Sequence, residues 1–222
     1  MTSKTTIAAD SRDMYAVHNM LRRGFRELPA IARDVPPGAD RAELVANHGR
    51  LLVTILITHH EAEDAVLWPK LLTRCPEESK PDVESMERQH RHLHTFLDAV
   101  SAKAASYRDS RDAKTRDDFA QSVDALLAPL EEHLCAEELE ILPLIDRYLT
   151  NAEWAAVGEH GLPQLAPRQV PLVFGMMLRV ATAEQRALLA QNVPSEVFSQ
   201  MTQVAPQELA TYERTLCDES AS

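Results

Sequence analysis

Glycine is scarce in this chain, with six in 222 residues, and aromatic side chains make up only 5%. Sandwiches and barrels draw on glycine at their turns and on β-branched and aromatic residues along their strands, so this poverty argues against an all-β fold. The three cysteines, Cys75, Cys135 and Cys217, are odd in number and far apart, which fits neither a disulfide framework nor a CxxC metal site. Positive charge is short as well: 23 Lys and Arg face 34 Asp and Glu, a formal net charge of -11. With no basic cluster to interrupt that field, neither nucleic acid nor an anionic membrane is a suitable partner. No apolar run reaches membrane-spanning length, and the opening MTSKTTIAADSRD lacks a signal-peptide core. A cytoplasmic location is expected.

What is abundant is Ala, Leu, Glu and Arg, the residues of a helical protein, and the expected class is all-α. Apolar side chains recur at helical spacing in four segments separated by polar or proline-containing breaks. The first runs through Met14, His18, Leu21, Phe25, Leu28 and Ile31, starting after Asp10 or Ser11 as N-cap and stopping before Val35-Pro36-Pro37-Gly38. The second runs from Leu44 through His59, Glu63 and Val66 to Cys75-Pro76, the third from about Pro81 to Tyr107, and the fourth from Phe119 through His133 and Glu137 to Leu144. Short connections between four such helices predict an antiparallel up-down-up-down four-helix bundle over residues 10–150.

The unusual feature is what sits in the apolar stripes. His18, His59, Glu63, His90, His94, His133 and Glu137 all fall in register with core positions. Burying an unpaired imidazole or carboxylate costs several kcal/mol, so seven of them require a compensating partner, and a cation supplies it. In an antiparallel bundle, residues equally far from a turn share one level; about the turns near residues 77 and 112, and across the first turn for His18, all seven fall within about one helical turn of a common slab. The pairs His59/Glu63, His90/His94 and His133/Glu137 are each four residues apart, placing both members on one helix face. A lone HxxxE is usually a surface pair, but here HHEAEDAVLWP (59–69) and HLCAEELEILP (133–143) echo each other. His18 is assigned on position alone, with a hydrogen-bonded core histidine as its alternative. His60 and His92 are expected off the ligand face, His48 too far along its helix, and His160 beyond the bundle. Tyr15 reads as packing or as a donor near the site, and Pro129 as a kink that aims His133 or as the start of that helix's regular part.

Five imidazoles and two carboxylates suit iron, manganese, copper or zinc rather than calcium or magnesium, and they exceed the needs of one tetrahedral ion. These residues carry a resemblance over roughly residues 10–150: His18 in DMYAVHNMLRR, His59/Glu63 before Trp68-Pro69, His90/His94 in RQHRHLH and His133/Glu137 before Pro143 are similar to a hemerythrin-like (HHE cation-binding) domain of bacterial type. The resemblance implies two non-haem irons with an oxo or hydroxo bridge, Glu63 and Glu137 bridging, the histidines capping, and an open position for a small molecule. It implies binding of O2 or NO for sensing or buffering, or an enzyme that degrades peroxide or processes NO; an iron-responsive structural bundle is the third reading. Glu137 stands four residues after His133, where the invertebrate oxygen carriers use an Asp five after the His; this form resembles the bacterial and regulatory branches of the family and speaks against storage or transport of oxygen.

From Asn151 to Ser222 prolines at 163, 167 and 171 break the pattern. Two or three short helices are expected there, as a C-terminal extension that covers the bundle, gates the site or forms a homodimer contact.

Overall fold

The computed structural model describes residues 8–161 and 165–217; the first seven residues of the opening segment and Pro163 lie outside them. The fold is all-helical, and the extended pairing among the described residues is one isolated bridge between Ala8 and Thr150. Asp10 caps a 3-10 turn at Ser11–Asp13, which leads into α1 (Met14–Arg33). Then follow α2 (Arg41–Val66), α3 (Trp68–Arg74), a 3-10 turn at Glu77–Ser79, α4 (Lys80–Ser110) and α5 (Ala113–Ala136). Arg111 adopts a left-handed conformation at the end of α4, and Asp112 accepts the Thr115 N–H at 2.8 Å to start α5.

The second and fourth expected segments are each interrupted, at equivalent points of the echo. Pro69 has no N–H to offer the carbonyl four residues back, and α2 ends at Val66 before α3 resumes at Trp68. Ahead of Pro143 the chain takes a π-helical turn over Glu137–Ile141, with the Leu142 N–H bonded to the Glu137 carbonyl, before α6 (Leu142–Tyr148). Pro129 interrupts nothing: α5 continues through it.

The four long helices close a ring of neighbours, α1 on α2, α2 on α4, α4 on α5 and α5 on α1. Two apolar clusters fill the ring. One holds Leu21, Leu56, Leu93 and Leu134, the other Met14, Leu67, Met86 and Ile141. Between the two clusters lies a polar slab, crossed by α1 at His18, by α2 at His59 to Glu63, by α4 at His90, and by the end of α5 and the π-helical turn after it at His133 to Glu137.

The C-terminal region has four helices among the described residues, more than the two or three expected: α7 (Asn151–Gly161), α8 (Val170–Val180), α9 (Ala183–Asn192) and α10 (Ser195–Cys217). The last has 23 residues and is not short; Pro206 lies inside it without ending it. The region spends its apolar face on the rest of the chain, α7 packing on α2, and α8 on both α1 and α10. Buried Asp13 accepts from Trp154 Nε1 at 3.0 Å and from Asn192 Nδ2 at 2.7 Å, pinning α7 and α9 to the start of α1.

Candidate metal centre

In the polar slab, donors gather in two groups. His18, His59, Glu63 and Glu137 each offer an atom to one, and His60, His90 and His133 to the other, with donor atoms inside each group within 4.8 Å of one another. All seven side chains are buried, His59 being the most exposed at 9%. The glutamates tie the groups together. Glu63 places one oxygen 3.1 Å from His59 Nε2 and the other 3.5 Å from His90 Nε2, while Glu137 Oε2 lies 3.4 Å from His18 Nε2 and 3.8 Å from His133 Nε2.

These approaches are not hydrogen bonds. Nε2 of His18, His59, His90 and His133, together with all four oxygens of Glu63 and Glu137, are buried without a hydrogen-bond partner. Eight orphaned polar atoms facing one another would cost as much as a domain's net stability or more if nothing lay between them. Ligand atoms about 2.1 Å from a common ion are separated by roughly 3–4.2 Å, the range seen here. The donor set fits a cation held by imidazole and carboxylate.

The outward nitrogens are anchored. His18 Nδ1 meets Glu138 Oε1 at 2.8 Å, and Glu138 is itself held by Arg22. His90 Nδ1 meets Asp64 Oδ1 at 2.8 Å, an oxygen that also accepts from Trp68 Nε1 at 2.7 Å. His133 Nδ1 meets Gln89 Oε1 at 3.0 Å. With Nδ1–H donated to these acceptors, each Nε2 carries its lone pair inward, the tautomer a metal needs.

Electrostatics without an ion are conflicted. Burial, reinforced by Glu137, pushes Glu63 well above the usual carboxylate range. Burial also acts on Glu137, but His18, His59 and His133 outweigh it and hold that carboxyl below the range. Burial drives His59 down to about 3 and His133 to about 4, whereas Glu137 and Glu138 overcome burial at His18 and raise it.

Of the seven residues singled out by sequence, the structure brings six together. His94 is the exception: it is half-buried and stands outside both groups, its ring 6.4 Å from that of His60. His60, expected off the ligand face, is fully buried inside the second group. Helical geometry gives the reason. The inward face of α2 centres on Glu63, which His59 and His60 flank at roughly 40° and 60°, so both histidines point inward. On α4, Met86, His90, Leu93 and Leu97 set the buried face, and His94 lies about 75° from its centre. The other histidines sit apart. His48 is buried against the Tyr212 hydroxyl, Nδ1 to Oη 3.0 Å, and His92 and His160 are exposed. Tyr15 packs in the apolar cluster beside Met14.

Two cavities reach the slab. An apolar one of about 220 Å³ lies between the long helices and the C-terminal helices, lined by Met14, Val17, Ile55, Phe174 and Leu189, and meets the centre at His59. A more polar one of about 300 Å³, lined by Arg88, Gln89, His92 and Glu132, meets it at His133.

A family model described as the hemerythrin HHE cation-binding domain matches residues 10–145. No curated protein and no solved structure matches the chain.

Proposed function

The chain belongs to the hemerythrin HHE cation-binding family, and from that membership and the donor geometry we propose that it holds a pair of non-haem irons and binds O2 or a similar small diatomic such as NO, for sensing or buffering. The scaffold in this reading is an antiparallel up-down-up-down four-helix bundle over residues 10–150, with residues 151–222 as an extension. The single observation that carries it is the arrangement of Glu63 and Glu137, each close to a histidine of both groups through oxygens that have no other partner. Carboxylates so placed would hold two ions at once. His18 and His59 would then hold one ion, His90 and His133 the other.

Iron held by these residues would supply an open position and the electrons for binding a diatomic. The chain's own residues do the rest. Asp64, Glu138 and Gln89 orient the imidazoles, and the apolar clusters above and below the slab keep bulk water away. The apolar cavity ending at His59 favours an uncharged, weakly hydrated ligand over an ionic one.

A second reading, an enzyme that degrades peroxide or processes NO, draws on the other cavity. Arg88, Gln89 and Glu132 give a hydrophilic approach to His133, suited to a hydrogen-bonding substrate and to proton delivery. Anaerobic reduction of the iron-loaded protein, with the visible spectrum followed as oxygen is admitted and removed, separates the two. A band that forms and reverses supports reversible binding; a single irreversible conversion, with peroxide turnover, supports the enzyme.

A further inference from the structure

His60 is the one histidine of the slab whose ring nitrogens are both buried and both without a partner. The anchored histidines His18, His90 and His133 each leave only Nε2 bare. His60 lies nearly flat on the His90 ring, centroids 3.9 Å apart and planes 12° from parallel, so the His60 ring has to turn out of this stack before its in-plane lone pair and that of His90 can reach one ion; it meets the His133 ring edge-on at 5.0 Å. A donor atom of His60 comes within 4.8 Å of donors from both. A packing role would favour an apolar ring in this place, because an imidazole with neither nitrogen satisfied is penalised against a phenyl of similar shape.

We propose that His60, and not His94, is the third nitrogen ligand of the ion held by His90 and His133. The inference rests on the two-metal reading above. It gives that ion three imidazoles and the other ion two, with Glu63 and Glu137 common to both. His94, four residues after His90 and on the rim of the α4 face, then lies outside the coordination sphere, although its spacing in the sequence is that of a ligand.

The test compares His60→Phe and His94→Phe with the unaltered chain. Each is loaded anaerobically with Fe(II), desalted and analysed for iron per chain. Two irons in the unaltered chain and in His94→Phe, and one in His60→Phe, is the expected result. Loss of an ion from His94→Phe overturns the inference, whether or not His60→Phe keeps two. Fewer than two irons in the unaltered chain overturns the two-metal reading itself, and the inference with it. X-ray absorption at the iron edge needs no His60 variant: unchanged imidazole scattering in His94→Ala supports the assignment, and a drop of about one imidazole per iron pair contradicts it.

Discussion

Asp64 gives the sharpest handle on the centre, because it is exposed on α2 and yet controls a buried donor. Its Oδ1 accepts from His90 Nδ1 at 2.8 Å and from Trp68 Nε1 at 2.7 Å. Asp64→Ala removes the one acceptor of both bonds while leaving every atom of the slab in place. His90 is then free to turn or to change tautomer, and its Nε2 is no longer held toward Glu63. Loss of such an outer partner weakens metal binding roughly 10–100-fold, about 1.4–2.7 kcal/mol. Asp64→Asn keeps an acceptor oxygen at the same place and is expected to lose less, because the charge goes but the direction of the bond stays. Competition with a chelator of known affinity gives Kd for each variant, and Trp68 fluorescence reports that the indole bond has changed. An Asp64→Ala protein that binds iron as tightly as the parent would refute the claim that His90 is a ligand oriented by this carboxylate.

Glu63→Gln keeps the size of the side chain and discards its charge, so it is expected to bind less than one iron per chain, measured by elemental analysis. Chelation of the parent should lower Tm, since each tenfold excess of free metal over Kd adds about 1.4 kcal/mol to stability; an unchanged Tm would place the metal elsewhere. Burial, with a smaller push from Arg179, lowers His48 to about 4. The unfolded chain binds its proton near pH 6.5, so the stability due to the neutral ring is complete above that value and is lost as pH falls from about 6.5 to about 4, with a ceiling of about 3 kcal/mol. Urea unfolding of His48→Leu beside the parent should show a shallower loss across that window. At Gly175 an added Cβ would stand 2.7 Å from the Ala205 carbonyl oxygen and 3.0 Å from Leu209 Cβ, where backbone cannot yield cheaply. Gly175→Ala should therefore force α8 from α10 and cost roughly 1–3 kcal/mol in denaturant, with iron content unchanged.

The fold class and most of the slab were legible because burial and charge conflict so openly in the sequence. Imidazoles and carboxylates in apolar stripes at matched distances from turns have few explanations other than a shared ion, and His18, His59, Glu63, His90, His133 and Glu137 do meet. The choice between His60 and His94 was hidden, because spacing four apart tells which residues share a face but not how that face is rotated toward the core. Rotation is set by packing partners, here Leu93 and Leu97 on α4 and Glu63 on α2. The breaks within the two echoed motifs were written in Pro69 and Pro143, yet their form, a bare junction at Leu67 in one case and a π-helical turn in the other, has no signature in the local spacing. The outer anchors Asp64, Glu138 and Gln89 had no pattern of their own. Asp64 and Glu138 each directly follow a candidate bridging glutamate, a signal that becomes meaningful only once the ligand faces are known. The four C-terminal helices and their cavity at His59 depend on contacts with α1 and α2 that no local spacing encodes.

The central claim is that two ions share Glu63 and Glu137, and iron content combined with Mössbauer spectroscopy of the anaerobically loaded, 57Fe-enriched protein tests it most directly. Two irons per chain, coupled to a diamagnetic ground state after oxidation, is the predicted result. One iron per chain, or two that remain magnetically independent, would contradict it.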